Sequence, residues 1–131
     1  MTKSSVRVVL IALLAAVPAF AGTTGNDVLK TCQTAVRFVD NNGAPTGELF
    51  DSGWCFGWVN SALELTKLHN DWTSLAKQKP TLLQFCIPDS GIPTIQVARI
   101  LVKYLKEHPE QLHGDGMGLT LAALKDAFPC K

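Results

Sequence analysis

The chain ends with the stretch "ALKDAFPCK" (residues 123–131), in which Cys130 is the last residue but one. Chain termini tend to fray, and a free thiol on a frayed tail would be open to oxidation. We therefore expect Cys130 to be bonded to another cysteine. The position of that partner determines how the helices of the chain are arranged.

The first 21 residues, "MTKSSVRVVLIALLAAVPAFA", contain the three regions of a secretory signal peptide. Lys3 and Arg7 make the start positive, residues 8–17 are apolar, and Ala19-Phe20-Ala21 is an A-x-A cleavage site. The apolar run has ten residues, whereas a membrane-spanning helix needs about 20. This pattern predicts cleavage of the signal peptide and export of residues 22–131 as a single domain.

Charge argues against two classes of partner. The signal peptide carries two of the 12 basic residues and none of the 11 acidic ones, so its removal changes the net charge from +1 to −1. No basic run or patch is visible in the remainder, which argues against binding to nucleic acid or to an anionic membrane surface. No second apolar run is long enough to span a bilayer.

Four segments show apolar residues at helical spacing, and none alternates convincingly with a period of two. The predicted fold class is therefore all-α, a small bundle of about four main helices. The first predicted helix covers residues 26–40, with Asn26 or Asp27 as its N-cap. The Gly-, Asn- and Pro-rich residues 41–53 are expected to break it.

The second predicted helix covers residues 54–70. Its inward face carries Cys55, Val59, Ala62 and Leu63, and Leu65 and Leu68 are expected to widen that face. Residues 71–85 are ambiguous, and one interpretation is a short helix that Pro80 ends.

The third predicted helix covers residues 93–108, with Pro93 in its first turn. Two apolar stripes run along it, and a helix with so much apolar circumference must bury two sides. The second stripe is a candidate homodimer contact. The first stripe contains Ile95, Ala98, Leu101, Val102 and Leu105, and the second contains Val97, Ile100 and Tyr104.

The fourth predicted helix covers residues 118–128, with Leu121, Leu124 and Phe128 inward. If it is antiparallel to the third helix, its end meets the start of that helix, and Cys86 comes close to Cys130. The same reasoning pairs Cys32 with Cys55 across the first two helices.

An even number of cysteines in a small exported chain indicates disulfides. Four cysteines allow three pairings, and the helix order favours Cys32–Cys55 with Cys86–Cys130. A zinc site is the alternative, but zinc ligands typically come in close pairs such as C-x2-C. Here the successive spacings are 23, 31 and 44 residues.

The sequence shows no arrangement typical of catalysis. Paired cysteines leave no thiolate nucleophile, and Ser61, Ser74 and Ser90 have no G-x-S-x-G context. The three histidines fall at predicted helix ends or in loops, where surface positions are usual. We therefore predict a binding protein that is not an enzyme and uses no cofactor or metal.

Tryptophan is a frequent anchor in protein interfaces. Trp54 and Trp58 are four residues apart beside Cys55, which favours packing in the core. Trp72 falls between the predicted second and third helices and is the better candidate for an exposed anchor. Asn70 and Asp71 beside it are candidates for hydrogen bonds to a partner, within a predicted partner-blocking loop at residues 70–79.

Three stretches resemble the immunity proteins of type VI secretion amidase effectors, the Rap/Tai type. They are "CFGWVNSA" (55–62), "FCIPDSGIPTIQVARILVKYLKEHPEQLH" (85–113) and "AALKDAFPC" (122–130). The resemblance implies a small periplasmic helical protein, often dimeric. Such a protein binds a peptidoglycan amidase of the NlpC/P60 cysteine type and blocks its catalytic groove sterically.

One alternative function is a periplasmic holding chaperone of the small, helical, acid-activated type. A chaperone binds many partners weakly, whereas an immunity protein binds one partner tightly. The three histidines and the balanced charge are compatible with the chaperone as well.

Overall fold

The computed structural model describes residues 22–41, 43, 47–77 and 85–130. The predicted signal peptide and Pro80 lie outside these residues. Within them the chain is all-α, as predicted, with no strand. The elements are α1 (Gly25–Asp40), α2 (Gly47–Leu75), α3 (Thr94–Glu107), a short 3-10 helix (Pro109–Gln111) and α4 (Gly116–Ala127).

α1 begins earlier than predicted. Its N-cap is Thr24, and Asp27 occupies the third helical position. The Thr24 backbone N–H donates to Asp27 Oδ2 over 2.9 Å, and the Asp27 N–H donates to Thr24 Oγ1 over 3.4 Å. The assignment of Asn26 or Asp27 as N-cap was wrong, because Asp27 supplies the return bond of a capping box rather than the cap itself.

α2 extends past both predicted ends. It starts at Gly47, although Gly47 and Gly53 had been interpreted as helix breakers, and it continues through Asp71 to Leu75. Glu48 lies in the first turn, where a carboxylate interacts favourably with the helix dipole, and it also pairs with Arg37 of α1 over 3.0 Å. These contacts offset the low helix propensity of the glycines.

The core lies between α1, α2 and α3, with α4 and Phe85 closing it. Both cysteines of the Cys32–Cys55 disulfide are fully buried there, and the bond ties α1 to α2 as predicted. The largest fully buried side chains are Phe85, Leu101, Leu105, Leu124, Val28, Val59 and Val97. None of the helices in the described ranges is long and apolar enough to cross a membrane.

The Cys86–Cys130 disulfide is also present, which confirms the predicted pairing. The backbone N–H of Cys86 donates to the carbonyl oxygen of Phe128 over 2.9 Å, so the two segments are already in register beside the bond. Phe85 is buried next to this contact. The terminal cysteine therefore fastens the segment after α4 to the segment that leads into α3.

α3 and α4 agree closely with the predicted boundaries. Pro93 is the N-cap of α3 and lies just outside the helix rather than in its first turn. α4 starts at Gly116, two residues before the predicted start, because Asp115 caps it by accepting from the Gly118 N–H over 2.6 Å. Leu124 is buried, whereas Leu121 and Phe128 are partly buried against the core.

Candidate protein-binding surface

The C-terminal part of α2 extends past the buried core. Thr66 is the last fully buried residue of the helix, and residues 67–75 contribute none. At a rise of 1.5 Å per residue, these nine residues correspond to about 13 Å of helix. Six of these nine residues are exposed, whereas His69, Asn70 and Thr73 are half-buried. One side of the end of α2 is therefore exposed, and the disulfide at Cys55 anchors the same helix to the core.

Four large apolar side chains are exposed on this part of α2. Leu65, Leu68, Trp72 and Leu75 are separated by three, four and three residues, which places them on one face of the helix. Leu68 and Trp72 are each 67 % exposed, and Leu75 is 83 % exposed. We call these four residues the α2 stripe. A contiguous exposed apolar patch of this kind is typical of an interaction site.

The prediction that Leu65 and Leu68 widen the buried face was wrong. The buried face of α2 contains Ser52, Cys55, Val59, Ala62 and Thr66. Leu65 directly precedes Thr66, and successive residues of an α-helix are about 100° apart around its axis. Leu65 and Leu68 therefore point away from α1. The fact that both residues are hydrophobic did not show which way their side chains point.

The structure separates the three predicted partner-binding residues. All three lie in α2, which ends at Leu75, and not in a loop, so their consecutive side chains point in three directions. Residues 78 and 79 of the predicted loop lie outside the described residues. Trp72 is exposed, as predicted, and belongs to the α2 stripe. Asp71 is exposed beside it, whereas Asn70 is half-buried and its carbonyl accepts a hydrogen bond from Thr73 Oγ1 over 3.0 Å.

Sequence reasoning missed Leu65, Leu68 and Leu75 as parts of this surface. Their spacing relative to Trp72 was available as a signal. This spacing indicates a common face only if the helix continues through residues 71–75. The sequence left the secondary structure of those residues ambiguous.

Trp54 and Trp58 have the packing role that was predicted. Their rings stack with centroids 5.0 Å apart, and both pack partly buried against the core. Trp58 Nε1 donates to Thr120 Oγ1 over 2.9 Å, and Thr120 donates in turn to the Gly116 carbonyl over 2.8 Å. These bonds attach α2 to the first turn of α4.

The predicted dimer stripe on α3 requires a correction. Val97 is fully buried within the chain, so it is not accessible to a second subunit. Ile100 and Tyr104 are partly exposed, and the Tyr104 ring stacks on His108 with centroids 4.2 Å apart. A homodimer contact through Ile100 and Tyr104 stays a prediction, and a single-chain mass by light scattering at high concentration would count against it.

The part of the chain that the structure describes contains neither a free cysteine nor a cluster of side chains suited to a metal ion. Its four cysteines are all bonded in disulfides. No cluster of three or more His, Cys, Asp or Glu side chains could hold a metal ion within those ranges. The surface with the clearest chemical character is therefore the apolar α2 stripe.

A family model described as Rap1a immunity proteins matches residues 24–130. This range includes α1 to α4 and both disulfides. Neither the curated proteins nor the solved structures contain a significant match.

Proposed function

The chain belongs to the Rap1a immunity protein family, and we propose that it binds and sterically inhibits a peptidoglycan amidase effector of type VI secretion. The target would be an NlpC/P60-type cysteine peptidase that attacks the cell wall. Family membership supports the immunity role. The resemblance of the cysteine-containing motifs to immunity proteins of amidase effectors supports the choice of target.

The observation that carries this proposal is the exposed α2 stripe. Leu68, Trp72 and Leu75 leave a large part of their apolar surface in water. Covering apolar surface contributes about 25 cal/mol per Å² before the costs of association are subtracted. Tryptophan is also one of the residues that most often form the energetic centre of a protein interface, so Trp72 is the expected anchor within the stripe.

The shape of this surface suits steric inhibition. An α-helix with its side chains is about 10–12 Å across, and helices with one apolar face bind other proteins by laying that face into a groove. A helix end that occupies such a groove excludes substrate without any chemistry of its own. Inhibition by this route needs no catalytic residue on the immunity protein.

The disulfides support a periplasmic site of action. Bonds of this kind form and persist in the oxidising periplasm and are rare in the cytosol. Cys32–Cys55 joins α2 to α1 inside the core, so the helix that carries the stripe keeps its position. A pre-organised surface loses less conformational entropy when it binds.

A pull-down at neutral pH tests the proposal. The bait is the oxidised protein, residues 22–131, and the prey is the periplasmic and secreted fractions of the producing strain. A single stoichiometric partner, identified by mass as a cysteine amidase and inactive on cell wall while bound, would support it. Many weakly bound clients, or binding only after acidification, would instead indicate the holding chaperone.

A further inference from the structure

Two carboxylates border the α2 stripe along one edge. Glu64 and Asp71 are seven residues apart on the same side of the helix, and each lies four residues before a stripe leucine, Leu68 or Leu75. Both carboxylates are exposed. The edge therefore places two negative charges beside the apolar side chains.

Neither carboxylate is part of an ion pair within the described residues. The ion pairs there are Arg37–Glu48, Arg99–Asp40 and Lys103–Glu107, which involve other acids. Lys67 is the nearest cation along the helix, but it forms no ion pair with Glu64 or Asp71. Around the helix axis, Glu64 and Asp71 lie between Lys67 and the stripe.

We infer that the α2 stripe docks into an apolar cleft of the effector whose rim, along the edge facing Glu64 and Asp71, is lined by Lys or Arg. This inference rests on the proposed function and specifies the surface of the effector that is recognised. Docking of the stripe removes water from the two carboxylates, and dehydration of a charge is costly unless an opposite charge compensates for it. A cationic rim supplies that compensation.

A second copy of this chain fits the stripe less well. If two α2 stripes packed antiparallel about a two-fold axis, the Glu64–Asp71 edge of one protomer would face the same edge of the other. Four carboxylates would then line one side of the interface without a cation between them. Like charges placed opposite each other oppose association, so the charge pattern favours a different, cationic partner.

The test measures association kinetics between the oxidised protein and the amidase captured in the pull-down. The variant Glu64→Gln/Asp71→Asn removes both charges and keeps the side-chain size. Its matched control, Asp89→Asn/Asp126→Asn, makes the same change in net charge at two exposed carboxylates outside α2. Rates are compared at ionic strengths of about 0.01 M and about 0.15 M, where the Debye length is about 30 Å and about 8 Å.

Charges at the rim of an interface act mainly on the association rate. We expect the α2 variant to associate about tenfold more slowly than wild type at low ionic strength and to lose most of the salt dependence. The control should behave as wild type. The charge reversal Glu64→Lys/Asp71→Lys should slow association further.

Two results would overturn the inference in different ways. If wild type binds the amidase and the α2 variant associates at the same rate, the cationic rim is wrong and the proposed function stands. If wild type binds no amidase at all, the proposed function fails and the inference fails with it. An equal slowing by the control variant would indicate an effect of net charge and would also overturn the assignment to this edge.

Discussion

Thr24 and Asp115, the N-caps of α1 and α4, pair with each other as an antiparallel β-bridge. The Gly116 N–H donates to the Thr23 carbonyl over 2.8 Å, and the Gly25 N–H donates to the Gly114 carbonyl over 3.1 Å. The first and last helices therefore start side by side and share backbone hydrogen bonds. This close approach of two backbones limits the space at both glycines.

The first prediction concerns Gly116. A Cβ atom at this position would lie 2.9 Å from the Thr23 carbonyl oxygen and 2.9 Å from Val28 Cγ2. We expect Gly116→Ala to lower the free energy of unfolding by about 1–3 kcal/mol, because the backbones must move apart. Chemical denaturation measures this change.

Gly57→Ala in α2 is the control for that substitution. A Cβ atom there meets nothing within 4 Å, so the alanine should stabilise the helix by roughly 0.5–1 kcal/mol. If both alanines changed the free energy of unfolding equally, the space between α1 and α4 would not restrict the size of the side chain at position 116.

The second prediction concerns acid stability. Hydrogen bonds from Thr24 hold the pKa of Asp27 below its ordinary value of 3.8. A carboxyl group with a lowered pKa in the folded state stabilises the protein fully above the pKa of the unfolded chain. This stabilisation is lost as the pH falls from about 4 through the lower folded pKa.

Asp27→Asn tests this relationship. The difference in unfolding free energy between wild type and the variant should be constant near neutral pH and should shrink as the pH falls below about 4. Urea denaturation at a series of pH values measures it. A difference that grows on acidification would contradict the role of the Asp27 carboxylate in the capping box.

The third prediction concerns the terminal disulfide. Cys86 and Cys130 are separated by 44 residues and are exposed. Because the bond restricts the unfolded chain, Cys86→Ser/Cys130→Ser should lower the free energy of unfolding by about 4 kcal/mol. Denaturation of the oxidised proteins tests this, and reduction of wild type, which breaks the same bond, should lower the free energy of unfolding by at least as much. An unchanged stability would mean that the Cys86–Phe128 backbone bond and the helix packing are sufficient.

The fourth prediction concerns Trp72. It is 67 % exposed, so Trp72→Ala should leave the stability almost unchanged. It should weaken binding to the effector by about 2 kcal/mol, which is about 30-fold in Kd. Phe50→Ala is the matched control, since Phe50 is 78 % exposed on the same helix but far from the stripe. If Trp72→Ala kept full affinity, the binding site would have to be sought at residues 109–116, which comprise the 3-10 helix and the turn that leads into α4.

The disulfide pairing and the helix order could be predicted because they depend on periodicity and on the antiparallel packing of neighbouring helices. Cys86 and Cys130 met as expected because both flank apolar helices that bury one face against each other. The start of α2 could not be predicted from local preference. Glu48 and its ion pair with Arg37 stabilise the first turn of α2, although the glycines there give it the composition of a loop.

The candidate site was only partly predictable. Trp72 was found because an isolated tryptophan in a polar segment is conspicuous. Leu68 and Leu75 were missed, because their direction depends on how far α2 continues and on which face α1 covers. Val97 was assigned to a dimer contact, because periodicity shows that one side of a helix is apolar. It does not show whether the same chain or a second subunit covers that side.

The most direct test of the immunity role is a titration of amidase activity on purified peptidoglycan. The oxidised protein, residues 22–131, is added in increasing amounts to the amidase captured from the same strain, with Trp72→Ala in parallel. The account predicts that hydrolysis falls linearly and stops at one equivalent of wild type, whereas the variant requires a large excess. Hydrolysis that continues unchanged with wild type in excess would contradict it.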